Sequence, residues 1–268
     1  MSSEMNSNIS SLGYEEVYQD RLDETRSMIT LVTLIDVLDQ GVSSDINYRS
    51  VMSMAYDVAE KANPNGIATQ VPEISLVTSA ICSNIKIMIY NLIEFSITSL
   101  VQAIYDCVKS DNCGYADVSK ELQNIWLHSR LKVLNDPNAN NSTAEKTSKK
   151  LLDDAVSGMA LELNPRNTIS GGNLDGLKIL NLFKSHGVTV HPGQSDYREK
   201  ELEDIKNGRN GLAHGSVSFA EAGNQVTSSE LVALINHVDS FLTQLHDDVL
   251  MYLSSKGYKN THCVSNAN

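Results

Sequence analysis

The fold class is clearest in residues 74–108, which read ISLVTSAICSNIKIMIYNLIEFSITSLVQAIYDCV. Apolar side chains recur there at steps of three or four residues, the spacing of one face of an α-helix. The members of this apolar stripe are Ile74, Val77, Ile81, Ile85, Met88, Leu92 and Phe95. A second stripe is mixed, with Ile87, Asn91, Glu94 and Thr98. The segment therefore predicts a long helix with one apolar side and polar groups on another.

Weaker patterns of the same kind predict further helices on both sides of this segment. They cover residues 14–39, 43–62, 118–134, 147–162 and 174–185. Nearer the C-terminus, Ser195 is expected to cap a helix whose apolar positions are Leu202, Ile205 and Leu212. A final helix is expected to begin at Thr227, which forms a capping box with Glu230. Loops are expected at residues 135–142 and 164–173, and a short extended segment at 188–193.

These elements predict an all-α protein, a helical bundle formed by one domain over residues 14–256. Residues 1–13 are expected to be disordered, and residues 257–268 are expected to form a flexible tail. The middle region, about 110–190, is expected to be an insertion in the bundle. It serves either substrate recognition or the scaffold, and the sequence leaves both alternatives open.

The composition excludes several classes of protein. The 268 residues include 21 basic and 33 acidic ones, for a net charge of −12. This balance disfavours a protein that coats nucleic acid through many phosphate contacts, although it allows a small basic pocket. Residues 1–11 lack the pattern of a signal peptide, and the apolar stretch 85–97 is too short to span a bilayer. We therefore expect a cytoplasmic protein that does not enter a membrane.

No metal or cofactor is expected from the sequence. The four cysteines form no CxxC pair and are expected to be reduced thiols; they are Cys82, Cys107, Cys113 and Cys263. The stretch His246-Asp247-Asp248 resembles a metal-binding HD motif only superficially, because no second His/Asp cluster accompanies it. The phosphate-binding, zinc-protease and serine-hydrolase motifs GxxxxGK[ST], HExxH and GxSxG are also absent.

The candidate functional residues lie in residues 206–215, which read KNGRNGLAHG. Arg209 occupies the position that is missing from the apolar stripe of its helix, and a charge there is costly unless it is paired or directed at an anion. Asn210 and His214 are four residues apart and share one helix face. Arg209 and His214 are five apart, roughly 140° around an ideal helix, so they do not converge within one regular helix.

Two arrangements would still bring Arg209 and His214 together. Either Gly211 and Gly215 loosen the local backbone, or two copies of the helix meet across a two-fold axis. An arginine, an amide and a histidine in one cleft suit phosphoryl chemistry, because arginine binds phosphate oxygens and histidine exchanges protons near neutral pH. The structural alternative is a helix-terminal arginine and a core histidine in a glycine-rich turn.

The same residues carry a resemblance to the HEPN superfamily. Arg209 and His214 match its R-x4-H motif, with Asn210 as the polar residue that often follows the arginine. Residues 90–94 (YNLIE) and 104–106 (IYD) look like one helix of the defence-associated MAE-type branch. Residues 172–175 (GNLD) and 209–219 (RNGLAHGSVSF) resemble two further segments of that branch. Together these similarities extend over roughly residues 15–255.

The resemblance implies a dimeric, metal-independent endoribonuclease in which two R-x4-H motifs face each other. By analogy, His214 acts as general base or acid while a ribose 2′-OH attacks the adjacent phosphate, and Arg209 holds that phosphate. Asn210 orients the histidine or the phosphate. The implied products are a 2′,3′-cyclic phosphate and a 5′-OH. The implied role is phage defence or toxicity, with RNA as substrate, a second copy as partner, and an antitoxin or defence protein as a further partner.

Three more residues are supporting or substrate-binding candidates. Asn91 and Glu94 lie on the mixed stripe, and Glu94 is expected to form a salt bridge with Arg209, in a site or in a buried structural pair. Ser216 stands where some HEPN toxins carry a modified tyrosine, so neutralisation by that route is not expected. The alternative function is a non-catalytic HEPN-like module that binds a nucleotide, RNA or a protein through the same cleft.

Overall fold

The computed structural model describes residues 13–40, 47–62, 73–134, 141–169, 174–191, 199–224 and 226–260. Its helices in chain order are α1 Tyr14–Gln40, α2 Tyr48–Ala62, α3 Ile74–Ser110, α4 Lys120–Leu134, α5 Asn141–Val156, α6 Pro165–Thr168, α7 Gly176–Ser185, α8 Glu199–Ala213, α9 Phe219–Gly223 and α10 Ser228–Ser254. Within these ranges the only strand-like pairing is one isolated bridge between Val118 and Lys259. The prediction of an all-helical fold is therefore confirmed.

Helix α3 is the main core helix, and it is buried over a wider arc than the sequence predicts. Ile85 and Leu92 of the predicted stripe are fully buried, whereas Met88 and Phe95 are only half-buried. The other buried positions lie to one side of that stripe and include Cys82, Ser83, Ile89, Tyr90, Ile93, Ser96 and Ile97. The difference arises because Ile89, Ile93 and Ile97 repeat at the same helical spacing as the predicted stripe, so spacing alone does not decide which side of α3 is buried.

The length of α3 corrects the expectation that its apolar stretch is too short to span a bilayer. The stretch 85–97 belongs to a helix of 37 residues that is long and apolar enough, by length and composition, to cross a membrane. Its most apolar window is 56% buried inside the protein. Burial against protein, and not shortness, is therefore what marks α3 as a core helix.

The chain divides into two compact units. The first, here called the motif unit, contains residues 18–92 and 203–239; the second, here called the middle unit, contains residues 1–17, 93–202 and 240–268. The region about 110–190 lies wholly in the middle unit, together with the second half of α10. That this region is an insertion in a single domain stays a prediction.

Most predicted helices begin or end within a few residues of the observed ones, but two predicted loops contain helix. Helix α5 begins at Asn141 and ends at Val156, six residues before its predicted end. Gly158 follows with φ +67°, a left-handed conformation that favours glycine. Helix α6 lies in the second loop, where Asn164 accepts a hydrogen bond from the Arg166 N–H at 2.9 Å and caps the short helix.

The ends of the last helices are set by capping boxes. The Thr227 N–H donates to Glu230 Oε2 at 2.9 Å, and the Glu230 N–H donates to Thr227 Oγ1 at 3.2 Å, which confirms the predicted start of α10. Ser218 and Glu221 form a second capping box at α9, a helix that the sequence analysis did not predict. No strand forms at residues 188–191, the described part of the predicted extended segment. Ser195 and the predicted disordered residues 1–12 lie outside the described residues.

The middle unit has a core of its own around His186, which is completely buried. Its Nδ1 lies 2.7 Å from the Leu182 carbonyl oxygen and therefore carries the proton, so Nε2 accepts from the Tyr105 hydroxyl at 2.8 Å. The Tyr252 hydroxyl donates to the His186 carbonyl oxygen at 2.8 Å. Burial lowers the pKa of His186 and raises the pKa of Tyr105 to about 12.

The start of the predicted C-terminal tail is held in the same unit. Tyr258 is 1% exposed, and its hydroxyl donates to Asp111 Oδ2 at 2.9 Å. Lys259 pairs with Val118 through the isolated bridge and places its Nζ 2.6 Å from the same carboxylate. Residues 257–260 are therefore part of the packed structure, and residues 261–268 lie outside the described chain.

Candidate functional site

The end of α8 carries the candidate residues, and glycine determines where this helix stops. Gly215 has φ +68°, and its N–H donates to the Leu212 carbonyl oxygen at 3.1 Å. The Ser216 N–H donates to the Gly211 carbonyl oxygen at 3.0 Å. These two hydrogen bonds are those of a Schellman motif, whose left-handed residue is usually glycine. The motif makes His214 the cap residue that directly precedes the turn.

His214 presents its imidazole to solvent. Its main-chain N–H donates to the Asn210 carbonyl oxygen at 3.0 Å, so the two residues stay one helical turn apart as predicted. The side chain is exposed, and it makes no hydrogen bond or ion pair with any residue that the structure describes. Either ring nitrogen is therefore open to a reactant, which contradicts the structural alternative of a core histidine.

Arg209 is half-buried and is held by an aromatic ring. Its Cζ lies 5.5 Å from the ring centroid of Tyr90, a side chain of α3 that has no solvent exposure. Its Nη1 donates to Asn210 Oδ1 at 3.1 Å. Among the described residues of the motif unit, no carboxylate lies within 4 Å of this guanidinium. The Tyr90 ring and the Asn210 amide hold Arg209 in place without neutralising its charge. The guanidinium therefore retains N–H donors that can bind an anion.

The predicted site residues other than His214 differ in what they contact. Arg209 and Asn210 touch each other, and Asn91 is an exposed residue next to Tyr90 on α3. Ser216 is occupied by the turn, because its hydroxyl donates to the Gly211 carbonyl oxygen at 3.2 Å. Glu94 belongs to the middle unit, and its predicted salt bridge with Arg209 stays a prediction.

Tyr90 is the residue that sequence reasoning missed. It begins the YNLIE segment, from which only the polar residues Asn91 and Glu94 were chosen as candidates. Its ring meets Arg209, which lies more than a hundred positions along the chain, so spacing within one helix gives no sign of the contact. The available signal was an aromatic residue on a buried face beside a candidate polar one.

The segment that follows the site is fastened to α3. The Ser83 hydroxyl donates to the Phe219 carbonyl oxygen, and the Cys82 thiol donates to the Val226 carbonyl oxygen at 3.7 Å. Gly223 packs so closely that an added Cβ would lie 1.7 Å from the Ser79 carbonyl oxygen. Phe219, Gly223 and Val226, which follow the turn, are therefore held on the helix that supplies Tyr90.

The remaining histidine motif is structural. His246 stacks on Tyr14 with a ring-centroid distance of 5.2 Å, and Asp248 Oδ1 lies 2.9 Å from His191 Nδ1. Asp248 also accepts the His191 N–H at 2.7 Å. Across the described ranges, no group of three or more His, Cys, Asp or Glu side chains is placed to hold a metal ion. The chemistry available at the end of α8 is that of a guanidinium, an amide and an imidazole.

Comparison with known proteins gives one match. A family model described as HEPN_MAE_28990-like HEPN matches residues 15–258, a range that includes the whole segment from Tyr90 to His214. No curated protein and no solved structure matches the chain.

Proposed function

We propose, from the premise that the chain belongs to the HEPN_MAE_28990-like HEPN family, that it is an endoribonuclease that works without a metal ion. HEPN domains are generally ribonucleases, so a nuclease-like or RNA-related module is the starting point. The single observation that carries the proposal is the environment of the Arg209 guanidinium. The guanidinium is fixed over Tyr90 and bonded to Asn210, lacks a carboxylate within its unit, and lies close in sequence to the exposed His214.

The proposed reaction is transesterification within the RNA chain. An imidazole takes the proton of a ribose 2′-OH, and the 2′-oxygen forms a bond to the adjacent phosphorus. The bond from phosphorus to the 5′-oxygen breaks, and that oxygen takes a proton from an imidazolium. Arg209 binds the phosphate and stabilises the charge that develops on its oxygens. The products are a 2′,3′-cyclic phosphate and a 5′-OH, and DNA does not react because it lacks the nucleophile.

The proposed site needs two copies of the chain. Arg209 and His214 are five residues apart on α8, so their side chains leave one helix in directions roughly 140° apart. Arg209 turns toward Tyr90, whereas His214 lies exposed at the cap. A two-fold axis beside the end of α8 would place the arginine of one copy near the histidine of the other. We therefore propose a homodimer with a shared site.

The test compares wild type with His214→Ala and Arg209→Ala on an end-labelled structured RNA in EDTA. Wild type is expected to cleave and leave cyclic phosphate ends, and each variant is expected to lose at least about 100-fold in rate. Matched controls are His128→Ala, an exposed histidine whose Nδ1 lies 2.8 Å from the Asn124 carbonyl oxygen of its own helix, and Arg49→Ala, an exposed arginine. Both controls are expected to cleave like wild type.

Two results would contradict the proposal. Cleavage by His214→Ala at the wild-type rate would remove the histidine from the reaction. Absence of cleavage by wild type, together with RNA binding that Arg209→Ala weakens, would instead support the non-catalytic binding module.

The proposed cellular role is phage defence or toxicity, with an antitoxin or another defence protein as partner. Its support is the family membership, because the resemblance to the defence-associated MAE-type branch implies this role. Induced expression of wild type in bacterial cells is expected to arrest growth, and Arg209→Ala or His214→Ala is expected to relieve the arrest. Equal toxicity of wild type and both variants would contradict this role.

A further inference from the structure

The middle unit contains a concave site that the proposed reaction does not use. It is a groove of about 850 Å³ between the C-terminal half of α3, α4 and residues 158–167. This volume lies within the range of small-molecule sites. The lining residues that matter here are Gln102, Asp106, Lys109, Arg130 and Glu162. The groove is rich in charged and amide groups, which indicates a polar ligand.

Arg130 gives the groove a site for an anion. Its guanidinium carbon lies 5.8 Å from the ring centroid of Trp126, which is 1% exposed and holds the arginine in place. Its Nε is buried and has no hydrogen-bond partner among the described residues. Its ion pair with Glu162 is long, 3.8 Å, and the Glu162 side chain is 91% exposed. The Arg130 side chain is 32% exposed, so the outer end of its guanidinium, which this long ion pair holds only weakly, is able to bind an anion with several oxygens.

Lys109 adds a second cation to the same groove. It is exposed near the end of α3, and no described carboxylate of the middle unit lies within 4 Å of its ammonium group. A lysine acts as a mobile point charge, whereas arginine presents a fixed fork of donors. The pair therefore suits a phosphate group that Arg130 orients and Lys109 reaches from the groove edge.

Asp106 and Gln102 give the groove hydrogen-bonding groups that can recognise a base. Gln102 Nε2 donates to Asp106 Oδ1 at 2.8 Å, which holds the amide and the carboxylate side by side one helical turn apart. A carboxylate only accepts hydrogen bonds, and the Gln102 amide keeps a second N–H to donate. The pair thus presents acceptors next to a donor. The Watson–Crick edge of guanine has the complementary order, with N2–H and N1–H as donors and O6 as acceptor.

We propose that this groove binds a guanine nucleotide, with the base on Asp106 and Gln102 and the phosphate on Arg130 and Lys109. Adenine fits less well, because its N1 lone pair would face the Asp106 carboxylate where guanine presents N1–H. Uracil has one imino donor and no exocyclic amino group, so it satisfies only one of the two carboxylate oxygens. The site is separate from the R-x4-H residues, and its occupancy does not depend on RNA cleavage.

Isothermal titration calorimetry of the full chain tests this assignment, with guanosine 5′-monophosphate (GMP) as probe. GMP is expected to bind at least tenfold more tightly than adenosine 5′-monophosphate (AMP), because the wrong base leaves the carboxylate unpaired. It is also expected to bind at least tenfold more tightly than guanosine, which lacks the phosphate. His214→Ala is expected to bind GMP like wild type, so failure of the nuclease proposal and failure of this one are distinguishable.

Variants test which residues contact the base and which contact the phosphate of the ligand. Asp106→Asn and Gln102→Ala are expected to reduce the preference for GMP over AMP, whereas Arg130→Lys is expected to reduce the preference for GMP over guanosine. The control Asp153→Asn removes an exposed carboxylate of α5 in the same unit and is expected to change neither ratio. Thermal unfolding checks that each variant is folded. Because Asp106→Asn and Gln102→Ala both alter the base end, the test can still be made if one of them does not fold.

Three results would overturn the proposal. These are no binding of GMP at millimolar concentration, equal affinity for GMP and AMP, and a GMP preference that survives both base-end substitutions in folded protein.

Discussion

The guanidinium of Arg209 lies over the ring of Tyr90, with 5.5 Å between its Cζ and the ring centroid. Tyr90 is fully buried in α3, so the ring cannot move away without opening the core. The contact therefore fixes an arginine of α8 relative to the helix that also binds the carbonyl groups of Phe219 and Val226. A preformed arginine lowers the cost of ordering a phosphate, because the donors are already in place.

We expect the position of Arg209 to depend on the aromatic ring of Tyr90. Tyr90→Phe keeps the aromatic face and is expected to retain RNA cleavage within about twofold of wild type. Tyr90→Leu keeps apolar volume without the face and is expected to lose about tenfold in kcat, the equivalent of a cation–π contact of roughly 1–2 kcal/mol. Single-turnover cleavage and thermal unfolding of both variants check this. Equal cleavage rates for the two folded variants would show that the ring only fills space.

Complementation tests the shared site directly. A mixed dimer of Arg209→Ala and His214→Ala copies retains one intact arginine and one intact histidine, on different chains. If the reacting pair comes from different copies, cleavage is expected to return to at least about tenfold above either parent dimer. Co-expression with two affinity tags isolates the mixed species. If the mixed dimer forms but remains as inactive as its parents, the reacting arginine and histidine belong to one chain.

Two glycines of the site segment are expected to respond oppositely to alanine. Gly215→Ala forces an alanine into φ +68° and is expected to destabilise the fold by about 1 kcal/mol and misplace His214. Gly208 lies inside α8, and a Cβ there meets nothing within 4 Å. Gly208→Ala is therefore expected to stabilise the protein by roughly 0.5–1 kcal/mol. Urea unfolding measures both, and a stable Gly215→Ala with full cleavage would refute the role of the turn.

His186 is expected to make stability depend on pH. Burial lowers the pKa of His186 in the folded state, so below about pH 6.5 the unfolded chain binds a proton that the folded chain excludes. Its contribution is fully present above pH 6.5 and is lost as the pH falls from there toward the lowered pKa. The slope from this residue is at most about 1.4 kcal/mol per pH unit.

Unfolding in urea at pH 7.5, 6.5 and 5.5 isolates this contribution. His186→Asn is expected to be less stable at every pH, because it loses the hydrogen bond with Tyr105, but its stability should fall less steeply toward pH 5.5. The exposed His128→Asn serves as the control and should keep the wild-type slope. Parallel pH profiles for wild type and His186→Asn would contradict the assignment.

The sequence predicts the helices better than it predicts their contacts. The periodicity of α3 and the capping box at Thr227 depend on neighbours within a few residues, so both appear in the sequence. The buried side of α3 differs from the predicted stripe because Ile89, Ile93 and Ile97 form a second apolar row at the same helical spacing, and periodicity does not select between the two rows. Helix α6 escapes detection because only four residues form it, after an asparagine cap in a polar stretch.

For the candidate site, too, the sequence predicts residues within one segment better than contacts between distant segments. Arg209, Asn210 and His214 stand out because they are close in sequence and chemically unusual for an apolar stripe. Tyr90 reaches them only through packing between helices that are distant in sequence, and no spacing rule reports such a contact. The exposure of His214 likewise depends on the Gly215 turn, whose handedness is a property of the folded backbone.

The freedom of the His214 side chain has an evolutionary consequence. Since no described residue forms a hydrogen bond or ion pair with the imidazole, the described structure loses no such interaction when another residue replaces the histidine. In the proposed ribonuclease, a single codon change at His214 is therefore expected to abolish cleavage and leave a folded protein on which selection can act. Descendants of one such gene can diverge into active and inactive forms without passing through an unfolded ancestor.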